Sequence, residues 1–298
     1  MDKKIPRITI IYIIVFMAIT WLFQIMTIFF AGDFFNGNNV NQLQSVLLTI
    51  CMFIPSLVLL VFCFIKKIGF NELGLKPIKP LFWPVIFCII MVIVITILLS
   101  VLWFSDYPNF INIDGEWKLE NVATIIPQPN KPIIFFTNIL FSMVLATIFT
   151  IPQALGEELA WRGYLQNIFI NKFGVIRGIV FLGVIWGLFH LPINLAGYNY
   201  LETPILGGFV YMTITCISLG AVFGWARIKT NSVWPAAVAH AAYNVIITIV
   251  VMNKPRINVN LYNLYINGME MIIGIIFIQL IIKERKKHKF PFTAPSEA

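Results

Sequence analysis

The chain has 298 residues, 59% hydrophobic and 11% charged, with a formal net charge of +8 and a mean hydropathy of +0.87. Soluble domains carry about a quarter charged residues. The composition therefore excludes a soluble globular domain and indicates a polytopic membrane protein.

Crossing a hydrocarbon core of ~30 Å takes roughly 20 apolar residues. Runs of that kind cover about 8–30, 43–65, 81–104, 133–155, 178–197, 204–226, 233–252 and 262–282. They are continuous rather than alternating in polarity, which specifies helices and not barrel strands. The expected fold is an all-α polytopic membrane protein of about eight transmembrane helices.

In chain order, the first run follows "MDKKIPR" and is too long for a signal peptide; no A-x-A-like site closes it, so it reads as a retained span. The third is followed by a connection at about 105–132 carrying Asp106, Asp114, Glu116 and Glu120, a surface loop with partial order. The fifth ends in "HLPINL", where Pro192 ends or kinks the helix. Gly183 with Gly187, and Gly220 with Gly224, are small-xxx-small pairs suited to close helix packing. The segment "SLGAVFGWARIKTNSVWPAA" reads as a packed span, a short turn and the start of the seventh span. One integral domain results, divisible into 1–132 (the first three spans and the outer loop), 133–255 (spans four to seven) and 256–298 (the last span and a basic tail).

Threading the eight spans puts Lys118, Lys131, Lys254 and Arg256 on one side and every other Lys and Arg on the other. The positive-inside rule makes the second side cytoplasmic, with both termini there. The basic tail "KERKKHK" then fits anionic lipid headgroups rather than nucleic acid. Cys51, Cys63, Cys88 and Cys216 all lie in apolar runs without CxxC spacing, so neither a disulfide framework nor a thiolate zinc site is indicated.

Charged residues inside a bilayer cost at least about 2.5–3.5 kcal/mol at its centre and mark function by default. They are few here. Glu157, Glu158 and Arg162 follow span four in "GEELAWRGYLQ", His190 lies in "WGLFHLP", His240 and Asn244 lie in "VAHAAYNV", and Glu270 stands alone in span eight with no assigned role. If the fourth helix continues past Gly156, Glu158 and Arg162 are i,i+4 and neutralise each other. Glu157 then points about 100° away and lacks that partner. One carboxylate tied and one free is the pattern that separates a structural ion pair from a catalytic base. His240 and Asn244 are also i,i+4. At a rise of 1.5 Å per residue, Glu157 and His240 both fall in the cytoplasmic half of the membrane, and His190 reaches a similar level. Simpler roles stay open for each: loop acids for Glu157 and Glu158, a core histidine for His190, an interhelical clamp for His240 with Asn244.

The same residues resemble the motifs of the CPBP family, the CAAX-processing and bacteriocin-processing intramembrane proteases. "EELAWR" resembles EExxxR, "WGLFH" resembles FxxxH with Trp186 where phenylalanine is usual, and "HAAYN" resembles HxxxN. The three occur in the family's order, and the similarity covers about residues 135–255. The resemblance implies an eight-helix membrane fold. It also implies that Glu157 and His190 activate a water, that His240 and Asn244 hold the oxyanion, and that Glu158 and Arg162 brace the site. The change to Trp186 reads as conservative in apolar character. A zinc ion would be held by Glu157, His190 and His240 as a His₂Glu set. No HExxH helix is present, and a metal-free glutamate mechanism, which is preferred, uses the same atoms.

The expected activity is an intramembrane endopeptidase acting on a membrane-associated peptide or protein, such as a CAAX-like C-terminus, a leader or a bacteriocin-type peptide. Two other classes remain at this stage. A non-catalytic scaffold or immunity protein of the same family would tolerate loss of motif residues, yet all are present. A proton-coupled transporter also uses membrane histidines and glutamates, but inverted repeats are not evident and the polar residues fall only in the second half. The expected partners are membrane lipids and a peptide substrate, with no nucleic acid; the location is a prokaryotic cell membrane with the site opening to the cytoplasm. The substrate, the oligomeric state and the role of the first three spans are not encoded legibly.

Overall fold

The computed structural model describes residues 5–30, 42–66, 69–76, 110–113, 116–119, 132–252 and 259–287. The helices are α1 (Arg7–Phe30), α2 (Gln42–Lys66), α3 (Pro132–Glu158), α4 (Gln166–Phe173), α5 (Val175–Phe189), α6 (Leu191–Leu195), α7 (Pro204–Thr230), α8 (Trp234–Met252) and α9 (Val259–Lys287). Four of them are long and apolar enough to cross a membrane: Arg7–Phe30, Leu43–Lys66, Pro204–Thr230 and Tyr262–Lys286. The chain is an all-α polytopic membrane protein. The expected span 81–104 lies outside the described residues. Within the expected outer loop a short antiparallel hairpin forms, β1 (Phe110–Ile113) on β2 (Glu116–Leu119).

Lipid tails are as apolar as leucine, so helices in a membrane associate through close packing and interhelical hydrogen bonds. Both are visible. A Cβ on Gly183 would come within 2.6 Å of Ile217 Cα, and one on Gly187 within 2.9 Å of Thr213 Cα, so this pair lets α5 and α7 approach backbone to backbone. The second expected pair behaves differently. Beside Gly220 the nearest atom is the Arg162 guanidinium at 3.8 Å, and beside Gly224 it is the Gln166 side chain. These two make room for polar side chains on the π turn and α4 rather than for a neighbouring backbone.

Helices α3 and α8, α5 and α7, and α7 and α9 form the principal packed pairs, with α2 against α3 and α1 against α2. Their shared core includes Tyr12, Phe16, Trp161, Trp186, Phe189 and Phe223. Large apolar side chains such as Phe29, Phe64 and Phe149 point outward, which suits a lipid-facing surface and would not suit water.

Two departures from regular helix position the site. After Glu158 the chain widens into a π turn, Leu159–Leu165, before α4 resumes; such turns recur at functional sites. The expected fifth span is α5, a break at His190, then α6. His190 has φ −90° and ψ 0°, the bridge region between helix and strand. Pro192 causes the break, because it has no N–H to continue the ladder.

Candidate active site

Glu158 is the centre of the buried charge. Its Oε2 pairs with Arg162 Nε at 3.1 Å, across one turn as the i,i+4 spacing predicts, and its Oε1 meets His240 Nδ1 at 2.9 Å. All three side chains are buried. The Arg162 guanidinium also lies 4.3 Å above the Trp186 ring and 5.2 Å from that of Phe223. Both distances suit cation–π attraction, which strengthens where water is excluded. The His240 ring stacks on Phe223 and meets Trp186 edge-on, each at 5.4 Å, so its orientation is set from two faces and one nitrogen.

Glu157 is not the free carboxylate that the spacing suggests. Its Oε2 accepts the indole N–H of Trp186 at 2.8 Å and that of Trp161 at 3.3 Å. The expectation failed because i,i+4 counting finds charge partners on one helix, whereas Trp186 arrives from α5. The sequence did carry a signal, since both tryptophans lie inside the motif segments and indole is a donor as well as an apolar ring. Trp186 is thus more than a conservative apolar replacement.

His190 is partly buried, and its Nδ1 lies 2.9 Å from the carbonyl of Trp186. A carbonyl only accepts, so Nδ1 carries the proton and Nε2 is the free lone pair of the neutral ring. Cys216 Sγ lies 4.0 Å from the same nitrogen. Trp186 therefore touches Glu157 with its indole and His190 with its backbone. Asn244, one turn beyond His240 on α8, is partly buried.

The structure brings Glu157, Glu158, Arg162, His190 and His240 into one assembly linked through Trp186. The exception is Glu270, which stands apart from these bonds. It accepts the hydroxyls of Thr215 at 2.6 Å and Tyr243 at 2.8 Å, so one carboxylate ties α9 to α7 and α8. It does not stand alone, contrary to its isolation in the sequence. Among the described residues, no three His, Cys, Asp or Glu side chains group closely enough to hold a metal ion. The His₂Glu set of Glu157, His190 and His240 therefore does not fit zinc in this geometry, and no step is routed through a metal.

The buried Glu158 carboxylate faces the buried Arg162 guanidinium directly, and a paired buried charge costs far less than an unpaired one.

Residues 136–246 match the family model described as type II CAAX prenyl endopeptidase Rce1-like. A CAAX prenyl protease 2 from Methanococcus maripaludis is 25% identical over 187 residues, which cover 60% of this chain and 61% of that protein. The chain thus spans about three fifths of the length of this curated relative.

Proposed function

We propose that the protein is an intramembrane endopeptidase of the CAAX protease type, a reading supported by the match of residues 136–246 to the Rce1-like family model. The observation that carries this reading is the pairing of two differently held carboxylates. Glu158 faces the Arg162 guanidinium and the His240 ring, whereas Glu157 receives two neutral donors on a single oxygen. Its Oε1 is the oxygen this reading assigns to the reactant.

Hydrolysis on this arrangement runs as follows. A water placed between Glu157 Oε1 and His190 Nε2 loses a proton to Glu157 as its oxygen attacks the peptide carbonyl carbon. The carbonyl oxygen becomes an oxyanion, held by His240 Nε2–H and the Asn244 amide. The imidazolium form of His240 is the one that offers this N–H, and Glu158 stabilises it through Nδ1. Glu157 then gives its proton to the amide nitrogen as the C–N bond breaks. The products are a new carboxyl terminus and a free amine. Each preorganised oxyanion donor contributes roughly 3 kcal/mol to such a transition state.

The substrate class is a peptide or protein associated with the membrane, such as a CAAX-like C-terminus, a leader or a bacteriocin-type peptide. Charge placement supports a site open to the cytoplasm of a prokaryotic cell with both termini on that side. The test compares protein termini in membranes from cells expressing the wild type or Glu157→Gln at equal levels. New C-termini or released peptides seen only with the wild type are expected. Identical termini from two equally folded proteins would refute the reading and favour a scaffold.

A further inference from the structure

The helical ladder is interrupted at His190, and three backbone groups freed around the interruption are taken up by side chains of α1. Pro192 has no N–H, so the carbonyl of Leu188 loses its i+4 donor. Trp21 Nε1, on α1, donates to that carbonyl at 3.0 Å. One residue on, the carbonyl of Phe189 and the N–H of Ile193 would be the next i,i+4 pair. Instead Phe189 O accepts Gln24 Nε2 at 2.9 Å, and Ile193 N donates to Gln24 Oε1 at 3.3 Å. A single buried primary amide on α1 replaces one helical hydrogen bond by two, with its donor and acceptor both used.

We infer that α1 is a positioning element for His190, acting through Gln24 and Trp21 as a splint across the broken helix. The consequence follows from the backbone. His190 holds φ −90° and ψ 0°, and its ring is fixed by Nδ1 to the Trp186 carbonyl. Without Gln24, Phe189 O and Ile193 N lose the amide that bridges them, and as an i,i+4 pair they can bond each other directly. The chain then has a folded alternative in which His190 takes helical dihedrals and its Nε2 leaves the line towards Glu157. Loss of the splint therefore misdirects the site without unfolding it. Helix α1, Arg7–Phe30, lies wholly outside the family-matched residues 136–246, so this role is an addition to the motif residues. It rests on the peptidase reading for its catalytic consequence only.

The experiment uses the full-length protein in detergent with Gln24→Leu and Trp21→Phe. Thr9→Val is the control, because it removes another buried α1 bond, to Tyr164 at 3.1 Å, away from the break. Hydrogen exchange tests the splint without any cleavage. The peptide 188–196 is expected to change its exchange rate roughly tenfold in Gln24→Leu, with 234–247 unchanged. Kinetics on a quenched-fluorescence peptide ending in a farnesylated Cys-aliphatic-aliphatic-X sequence test the consequence. Gln24→Leu should lower kcat on the order of 10–100-fold with KM within about twofold, since a misplacement near 1 Å has that effect. Trp21→Phe should shift both readouts in the same direction by less, and Thr9→Val should shift neither. Wild-type kcat for Gln24→Leu beside an inactive Glu157→Gln overturns the inference alone, as does unchanged exchange over 188–196. An active Glu157→Gln overturns the role given to Glu157, absence of cleavage by the wild type overturns the peptidase reading, and in both cases exchange decides the splint on its own.

Discussion

Trp186 carries three loads that a phenylalanine would divide. Its indole N–H holds Glu157, its ring face lies under Arg162, and its carbonyl orients His190. Trp186→Phe keeps an aromatic ring and the carbonyl and deletes the N–H together with the second ring of the indole. The expected result is a fall in kcat of about tenfold, the size of one lost hydrogen bond to a charged group, with little change in KM. Unchanged turnover would mean that Trp161 alone fixes the carboxylate. Glu158→Gln is a harsher change, because it leaves Arg162 and His240 buried without their anion. Removing one member of a buried ion pair costs about 3–5 kcal/mol. A clear drop in the thermal unfolding midpoint in detergent, together with lost cleavage, should follow. A variant as stable as the wild type would show that water reaches the site and screens the charges.

At the scale of elements, the sequence was most informative where spacing on one helix decides the contact. The Glu158–Arg162 pair and the helices over 7–30, 42–66, 204–230 and 234–252 follow from apolar runs and i,i+4 counting. Contacts between helices were not legible in that way. The Trp186 indole bond to Glu157, the hydroxyls on Glu270 and the Gln24 splint join residues 29, 27 to 55, and 165 to 169 positions apart. No local pattern encodes which faces meet at such separations. Glycines show the same limit. Four were read as one device, yet only Gly183 and Gly187 face a neighbouring backbone. The difference is measurable. Gly183→Ala forces a methyl to 2.6 Å from Ile217 Cα and should destabilise by about 1–3 kcal/mol through overpacking. Gly220→Ala meets only the Arg162 guanidinium at 3.8 Å, an ordinary contact, and should unfold within a degree or two of the wild type. Equal midpoints for the two variants would contradict the close approach of α5 to α7.

Across the whole molecule, charge and apolar surface make separate demands that agree. Outward-facing Phe29, Phe64 and Phe149 require lipid around α1, α2 and α3. The positive-inside rule assigns the end of those helices that carries cationic residues to the cytoplasm, which is the orientation proposed above. Helix α9 ends in Lys283, Arg285 and Lys286, and α7 in Arg227 and Lys229, whose ammonium pairs with Glu284 at 3.0 Å. That bond joins the basic ends of α7 and α9, so both belong to the same membrane face. Lys118, on β2 of the hairpin, belongs to the opposite face by the threading of the spans. Single cysteines introduced at Lys286 and Lys118, in a background without Cys51, Cys63, Cys88 and Cys216, convert this into a direct observation. An impermeant maleimide added to intact cells should label position 118 and leave position 286 unlabelled until the membrane is opened. The reverse pattern would invert the protein, turn the basic tail outward and place the cleavage site on the external side. Labelling at both positions in intact cells would show that an even number of spans separates them, and the membrane threading would have to be redrawn around the four helices whose length and hydropathy suffice to cross.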